Sequence, residues 1–136
     1  MYLLDTNVVS ELRRRRRADA KVLAWAAAMP QSSAFISAIS LLEIERGILL
    51  AERRDPQQAA QLRRWFEARI LAEFEGRVLP VDAAVALRSA ALHVPDPRPD
   101  RDALIAATAL VHALTVVTRN TGDFDGTGVQ LINPWH

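Results

Sequence analysis

Tyr2-Leu3-Leu4-Asp5-Thr6-Asn7 is a short apolar run that stops on a carboxylate immediately before a helix-compatible segment. A buried strand over residues 2 to 4 would put Asp5 at its carboxyl end, where open α/β sheets place their ligands. A purely structural role explains the same residue, because Asp, Thr and Asn are all favourable helix N-caps, typically worth about 1 kcal/mol. The two readings separate only if further acids gather at the same place.

Downstream, Val8, Val9 and Leu12 fall at helical spacing and predict a helix over residues 8 to 17. Its last five residues, Arg13 to Arg17, cross the helix surface too quickly to share a face. They read as a solvated helix end, where positive charge suits the negative pole of the dipole, or as a patch in which Arg13, Arg14, Arg16 and Arg17 contact RNA phosphates. Leu23 to Met29 predicts an Ala-rich helix closed by Pro30, and Ala34 to Ser37 a buried strand. Ser40-Leu41-Leu42-Glu43 has the spacing of a capping box, with Ser40 as N-cap and Glu43 three residues on, followed by Ile44, Ile48 and Leu49 on a core-facing stripe. Asp55-Pro56 marks a turn into a second helix with Leu62, Phe66, Ile70 and Phe74 spaced by four, so an antiparallel helical hairpin is expected.

Gly76 ends that hairpin, and Val78 to Val81 predicts a third strand whose Pro80 suggests a sheet edge or a strand end. Asp82 caps a helix over Ala83 to Leu92. Residues 94 to 101, with three alternating prolines, form a surface loop, and a helix of small apolar residues begins at Asp102, with Asp100 or Asp102 as its cap. Thr115 to Thr118 is a β-branched strand, residues 119 to 124 are a turn, and Val129 to Ile132 closes the sheet. Strands separated by helical stretches predict a mostly parallel α/β sandwich.

At 136 residues and 50% hydrophobic, the chain has the size of one domain, over residues 1–136, with enough apolar material for its own core. The absence of cysteine excludes disulfides, thiolate zinc sites and cysteine nucleophiles, and makes the reducing cytoplasm the expected home. No run reaches the roughly 18 apolar residues of a membrane span, so no membrane partner is expected. Net charge is only +1, yet Lys21 is the single lysine among 17 basic residues. Arginine's planar fork suits phosphate, and a biased genome composition would produce the same excess. No phosphate-binding Gly-rich fingerprint is present, and the three histidines lack metal-ligand spacing.

In a parallel sheet, acids just beyond strand ends or at helix starts collect on one rim. Asp5, Asp102 and Asp123 meet this condition, and Glu43 sits one turn into a helix starting on the same rim. Four carboxylates in a small space repel one another unless some hold protons or a cation neutralises them. Magnesium or manganese suits such donors, and the chemistry it would serve is attack of water on a phosphodiester.

Leu3-Leu4-Asp5-Thr6-Asn7, Glu43, Asp102-x-x-Ile105-Ala106-Ala107-Thr108-Ala109, and Thr118-Arg119-Asn120 with Asp123-Phe124 together resemble the PIN-domain ribonucleases, down to the closing Ile132-Asn133-Pro134-Trp135. Within them the chain looks like a VapC or FitB type toxin of a bacterial type II toxin-antitoxin pair. The resemblance implies a three-layer α/β/α sandwich and an acidic catalytic quartet of Asp5, Glu43, Asp102 and Asp123. It also implies Mg²⁺ (or Mn²⁺) held directly by Asp5, Asp102 and Asp123, with Asn7, Thr118 and Asn120 orienting carboxylates or water. Asp102, rather than Asp100, has the family's spacing to the Ile-Ala-Ala-Thr run. A homodimer, a cognate antitoxin that blocks the site, an RNA substrate, and promoter DNA bound through the antitoxin are further expectations of the resemblance. Two other readings stay open: a non-catalytic PIN-like regulator that binds RNA or antitoxin, and a PIN nuclease of RNA processing outside any toxin-antitoxin pair.

Overall fold

The computed structural model describes all residues 1–136 and contains five strands and six helices. The strands are β1 (Tyr2–Leu4), β2 (Ala34–Ser37), β3 (Val78–Leu79), β4 (Thr115–Val117) and β5 (Leu131–Ile132). They form one sheet in the order β3-β2-β1-β4-β5, with every pairing parallel. The helices are α1 (Thr6–Arg13), α2 (Ala20–Ala28), α3 (Ala38–Glu52), α4 (Pro56–Trp65), α5 (Ala83–Leu92) and α6 (Asp100–His112).

Successive strand residues serve opposite faces, and both faces are covered. Leu4 and Val117 pack with Val8, Ile44, Ile48 and Phe66, beneath α1, α3 and α4. Their neighbours Leu3 and Val116 pack with Ile105, Ala106, Ala109 and Phe124, on the α6 side. Two helical layers around a central sheet make the expected three-layer α/β/α sandwich, and explain why adjacent residues such as Leu3 and Leu4, or Val116 and Val117, are both apolar rather than alternating with polar ones. β3 lies at the edge, as Pro80 suggested, and Asp82 caps α5 by accepting from the Val85 amide at 3.0 Å.

The chain runs outward from β1 to β2 to β3, then returns to place β4 on the other side of β1. The direction of winding therefore reverses between β1 and β4, and the crevice beyond their carboxyl ends is the position where open parallel sheets bind ligands. Asp5 and Thr118 are the first residues past those two strands.

Several boundaries depart from expectation. α1 stops at Arg13 instead of Arg17; Arg15 takes a left-handed φ of 51° and Arg15–Arg17 form a separate 3-10 turn. Glu11 causes the reversal: its buried carboxylate accepts from the Asp19 amide at 2.7 Å and from Arg14 at 3.2 Å, so the chain folds back before the arginines can continue the helix. Ser40 is not an N-cap. Ser37 caps α3 by accepting from the Ile39 amide at 3.0 Å, and Ser40 is fully buried inside the helix, so no capping box explains Glu43. Neither Asp100 nor Asp102 caps α6; the helix starts at Asp100, behind Pro99, with no side-chain cap. β5 is confined to Leu131–Ile132 because Gly128, at a φ of 83°, is still turning the chain.

The helical hairpin is present, with Arg63 of α4 bridging Glu45 and Glu52 of α3 at 2.7 and 3.6 Å. Beyond Trp65 the second helix widens into a π-helical turn over Phe66–Leu71. Four residues overshoot one α-helical turn by about 40°, so a stripe spaced strictly by four would rotate off the core. The wider turn brings Phe66, Ile70 and Phe74 back onto one buried face.

Candidate active site

Asp5 is 9% exposed and fastened on both oxygens. Oδ1 accepts from the Thr6 amide at 2.8 Å; Oδ2 accepts from the Thr118 hydroxyl at 2.8 Å and from Asn7 Nδ2 at 3.3 Å. Its own amide donates to the Val117 carbonyl at 2.9 Å, which ties the end of β1 to the end of β4. The carboxylate therefore caps α1 with one oxygen and is locked to β4 with the other.

Thr118, fully buried, is the hub of this arrangement. While its hydroxyl donates to Asp5, the same oxygen accepts from Asn7 Nδ2 at 3.3 Å and from the Asn120 amide at 3.0 Å. Asn7 Oδ1 accepts from the Arg119 amide at 3.2 Å, closing the loop between α1 and the segment after β4. Asn7 and Thr118 thus reach Asp5 with their side chains, whereas Asn120 contributes its backbone amide.

Glu43 lies half-buried on α3, and its Oε1 accepts from the Thr6 hydroxyl at 2.9 Å. Ser40 Oγ lies 2.9 Å from the same hydroxyl. One hydroxyl carries one proton, so with Thr6 donating to Glu43, Ser40 donates to Thr6. Arg101 approaches the other Glu43 oxygen at 3.6 Å. Asp102 occupies the first turn of α6, and Asp123 an exposed 3-10 turn anchored by buried Phe124. Asp100 points away: its side chain is 92% exposed and pairs with His93 at 3.5 Å.

Charge ties the four acids together. Burial pushes the Asp5 pKa up; the hydrogen bonds from Thr118 and Thr6 pull against that rise, and Glu43 and Asp123 add to it. Burial also raises Asp102, followed by the charges of Asp123 and Asp5, with Arg101 opposing. Each shift means that the carboxylates would gain from a cation between them. No three acidic or imidazole groups converge closely enough to enclose an ion by themselves. An all-oxygen set of this kind suits a hydrated magnesium-like ion, which takes one or two carboxylates and keeps several waters.

Thr6, Ser40 and Arg101 were not nominated from the sequence as site residues. Thr6 stands inside the Asp5-Thr6-Asn7 stretch, and Ser40 three residues before Glu43 shares its helix face, so spacing could have nominated both. Nothing in the sequence marks Arg101 apart from its position beside Asp102. Of the arginine run, Arg14 pairs with Glu11, Arg13 lies over the Trp65 ring at 5.8 Å, and Arg16 and Arg17 are exposed.

The PIN domain family matches residues 2–129. Toxin FitB of Neisseria gonorrhoeae is 38% identical over 141 residues, covering 100% of this chain and 99% of that protein. VapC ribonuclease Y4jK of Sinorhizobium fredii is 35% identical over 140 residues, covering 99% and 98%. The crystal structure of FitAcB from Neisseria gonorrhoeae superposes with a TM-score of 0.90 at 37% identity, covering 100% of this chain and 99% of that one. Sequence match, strand order and the acid-lined crevice at the winding reversal agree, and the chain belongs to the PIN-domain family.

Proposed function

We propose that this protein is the toxin of a toxin-antitoxin pair and a divalent-metal-dependent endoribonuclease that hydrolyses phosphodiester bonds in RNA. The observation that carries this reading is Asp5: a buried carboxylate with a raised pKa, held by three donors at the switch-point crevice and repelled by its acidic neighbours. A structural cap needs one oxygen; the donors that also fix the second oxygen, and the acidic charge gathered around it, suit a carboxylate held ready for a cation. Similarity to a VapC ribonuclease and to toxin FitB supports the substrate class and the toxin role.

In this reading Asp5, Asp102 and Asp123 would hold Mg²⁺, or Mn²⁺, in part through the ion's own waters. The ion, when bound, supplies a more acidic water and polarises a phosphoryl oxygen. Thr118 and Asn7 fix Asp5 in one rotamer, so that its oxygens face the crevice without reorganisation. Asn120 supports them through its amide to Thr118. Thr6, backed by Ser40, aims Glu43 across the rim, where its carboxylate receives the proton of the attacking water. Arg101 moderates the acids' mutual repulsion and offers a donor to the phosphodiester.

A cognate antitoxin is the expected regulator, with promoter DNA bound through it and the cytoplasm as the site of action. No helix is long and apolar enough to cross a membrane. Exposed Leu42, Leu49 and Leu50 on α3 and Leu87 on α5 support a homodimer. The test is cleavage of a mixed cellular RNA pool by purified, antitoxin-free protein with Mg²⁺ and with EDTA, beside Asp5→Asn. Metal-dependent cutting that disappears in the variant is expected. Equal behaviour of wild type and a folded Asp5→Asn protein overturns the nuclease reading.

A further inference from the structure

A cleft of about 260 Å³ leads away from the acids between α1, α3 and α4. Thr6 and Glu43 lie at its end nearest the acids; Arg13, Gly47, Arg54 and Trp65 are among the residues that line the remainder, over an apolar base that includes Ile48 and Leu62. The spacing makes it one continuous track. Thr6 and Arg13 are seven apart on α1, and Glu43, Gly47 and Ala51 follow one face of α3 at four-residue spacing, a length of roughly 12 Å at 1.5 Å per residue, with Arg54 in the turn just past the helix end.

Two properties of this track go beyond what packing requires, and a third makes it receptive to anions: Arg13 and Arg54, like most arginines of the chain, form no ion pair, so both guanidiniums on the track are free to meet one. Arg13 lies 5.8 Å above the Trp65 ring, so a flat cation backed by an indole faces the cleft. Gly47 stands in the middle of α3, where glycine is the least favourable residue after proline. A Cβ built there meets nothing within 4 Å, so packing does not demand the glycine, and its absent side chain keeps the floor open.

We infer that this cleft is the path of single-stranded RNA on one side of the scissile phosphate, with a base stacked on the Arg13–Trp65 pair and a phosphate on Arg54. The inference rests on the nuclease reading and adds the substrate's route to it. Guanidinium planes and aromatic rings are the surfaces on which unpaired bases stack, and unpaired arginines are what a phosphate chain neutralises. The track is continuous with Glu43, so a strand lying in it delivers its next phosphodiester to the acids. Of the run Arg13 to Arg17, only Arg13 takes part, because the chain turns away at Arg15.

The test uses the full chain with Gly47→Gln, Gly47→Glu and Arg54→Gln. The Gly47 pair fill the floor with side chains of equal length and different charge, at a position where nothing must move to admit them. Binding of a fluorescein-labelled, mixed-sequence single-stranded oligoribonucleotide is followed by anisotropy in EDTA across a salt series. Hydrolysis of bis(p-nitrophenyl) phosphate, too small to reach the cleft, is measured separately with Mn²⁺. Expected are about tenfold weaker RNA binding in Gly47→Glu and Arg54→Gln, a salt slope in Arg54→Gln shallower by about 0.7, and a smaller loss in Gly47→Gln. Hydrolysis of the small phosphodiester stays at the wild-type rate. Unchanged RNA affinity in both charge variants overturns the route, as it would if a protein partner occupied the cleft instead, and so does a wild type that binds no RNA. Failure of the nuclease reading is distinct: the small phosphodiester is then not hydrolysed by any form, whatever the RNA binding shows.

Discussion

Replacing Thr118 by valine removes one oxygen from a fully buried position and keeps the side chain's shape. That oxygen donates to the Asp5 carboxylate at 2.8 Å and accepts from the Asn120 amide at 3.0 Å. A hydrogen bond to a charged group contributes about 1.5–3 kcal/mol, and here the loss leaves Asp5 Oδ2 with only Asn7 at 3.3 Å. Exposed Asn120 can turn its amide to water, so a loss of about 2 kcal/mol is expected at neutral pH. At about 2.1 cal/mol/K per residue, a chain of 136 residues unfolds with an entropy of about 0.29 kcal/mol/K, so Tm falls by about 7 °C. The effect must also depend on pH. The Asp5 pKa is already raised in the folded protein, and the Thr118 hydrogen bond works against that rise. Valine raises it further, so the added penalty is absent below the unfolded value of 3.8 and grows as pH rises through the folded pKa. Thermal unfolding of wild type and Thr118→Val between about pH 4 and pH 8 measures both quantities. A Tm difference below about 2 °C, or one that does not change with pH, refutes the claim that Thr118 holds an ionised Asp5.

Divalent metal should stabilise the fold through the same acids. At a concentration about 100 times its dissociation constant, Mg²⁺ is expected to add about 2.7 kcal/mol, seen as a rise in Tm that Asp102→Asn largely abolishes; equal shifts in both proteins would remove Asp102 from the ion site. Ala113, exposed and left-handed at a φ of 55°, ends α6, and Ala113→Gly should stabilise by about 0.5–1 kcal/mol in chemical denaturation; a destabilised variant would mean that its methyl group packs better than its exposure indicates.

The elements read most directly from sequence are those whose signal is local. Ala34 to Ser37 and Thr115 to Val117 are strands because β-branched and apolar residues run without interruption between turn residues. Asp82 is a cap because the residues it serves follow within one turn. The errors occur where a distant partner overrides the local pattern. Ser40-x-x-Glu43 satisfies the capping-box spacing, yet Thr6, more than thirty residues earlier, engages both side chains, and Ser37 takes the cap. The helix expected through Arg17 ends early because the carboxylate of Glu11 captures the Asp19 amide.

The candidate site divides along the same line. Residue type and order were enough to nominate Asp5, Glu43, Asp102 and Asp123, because each acid follows a strand end or sits in or near the first turns of a helix that sequence patterning reveals, and because their order resembles that of the PIN-domain ribonucleases. Which side chains hold them could not be read that way. Thr118 reaches Asp5 across 113 positions, Arg101 meets Glu43 between α6 and α3, and the cleft beyond Glu43 exists only where α1, α3 and α4 face one another. Local patterning determines which residues arrive at the rim of the sheet, since periodicity and capping act within a few residues. The return of the chain to put β4 beside β1 decides which of them touch, because only the packed sheet brings the carboxyl ends of those strands, and the charges they carry, into one crevice.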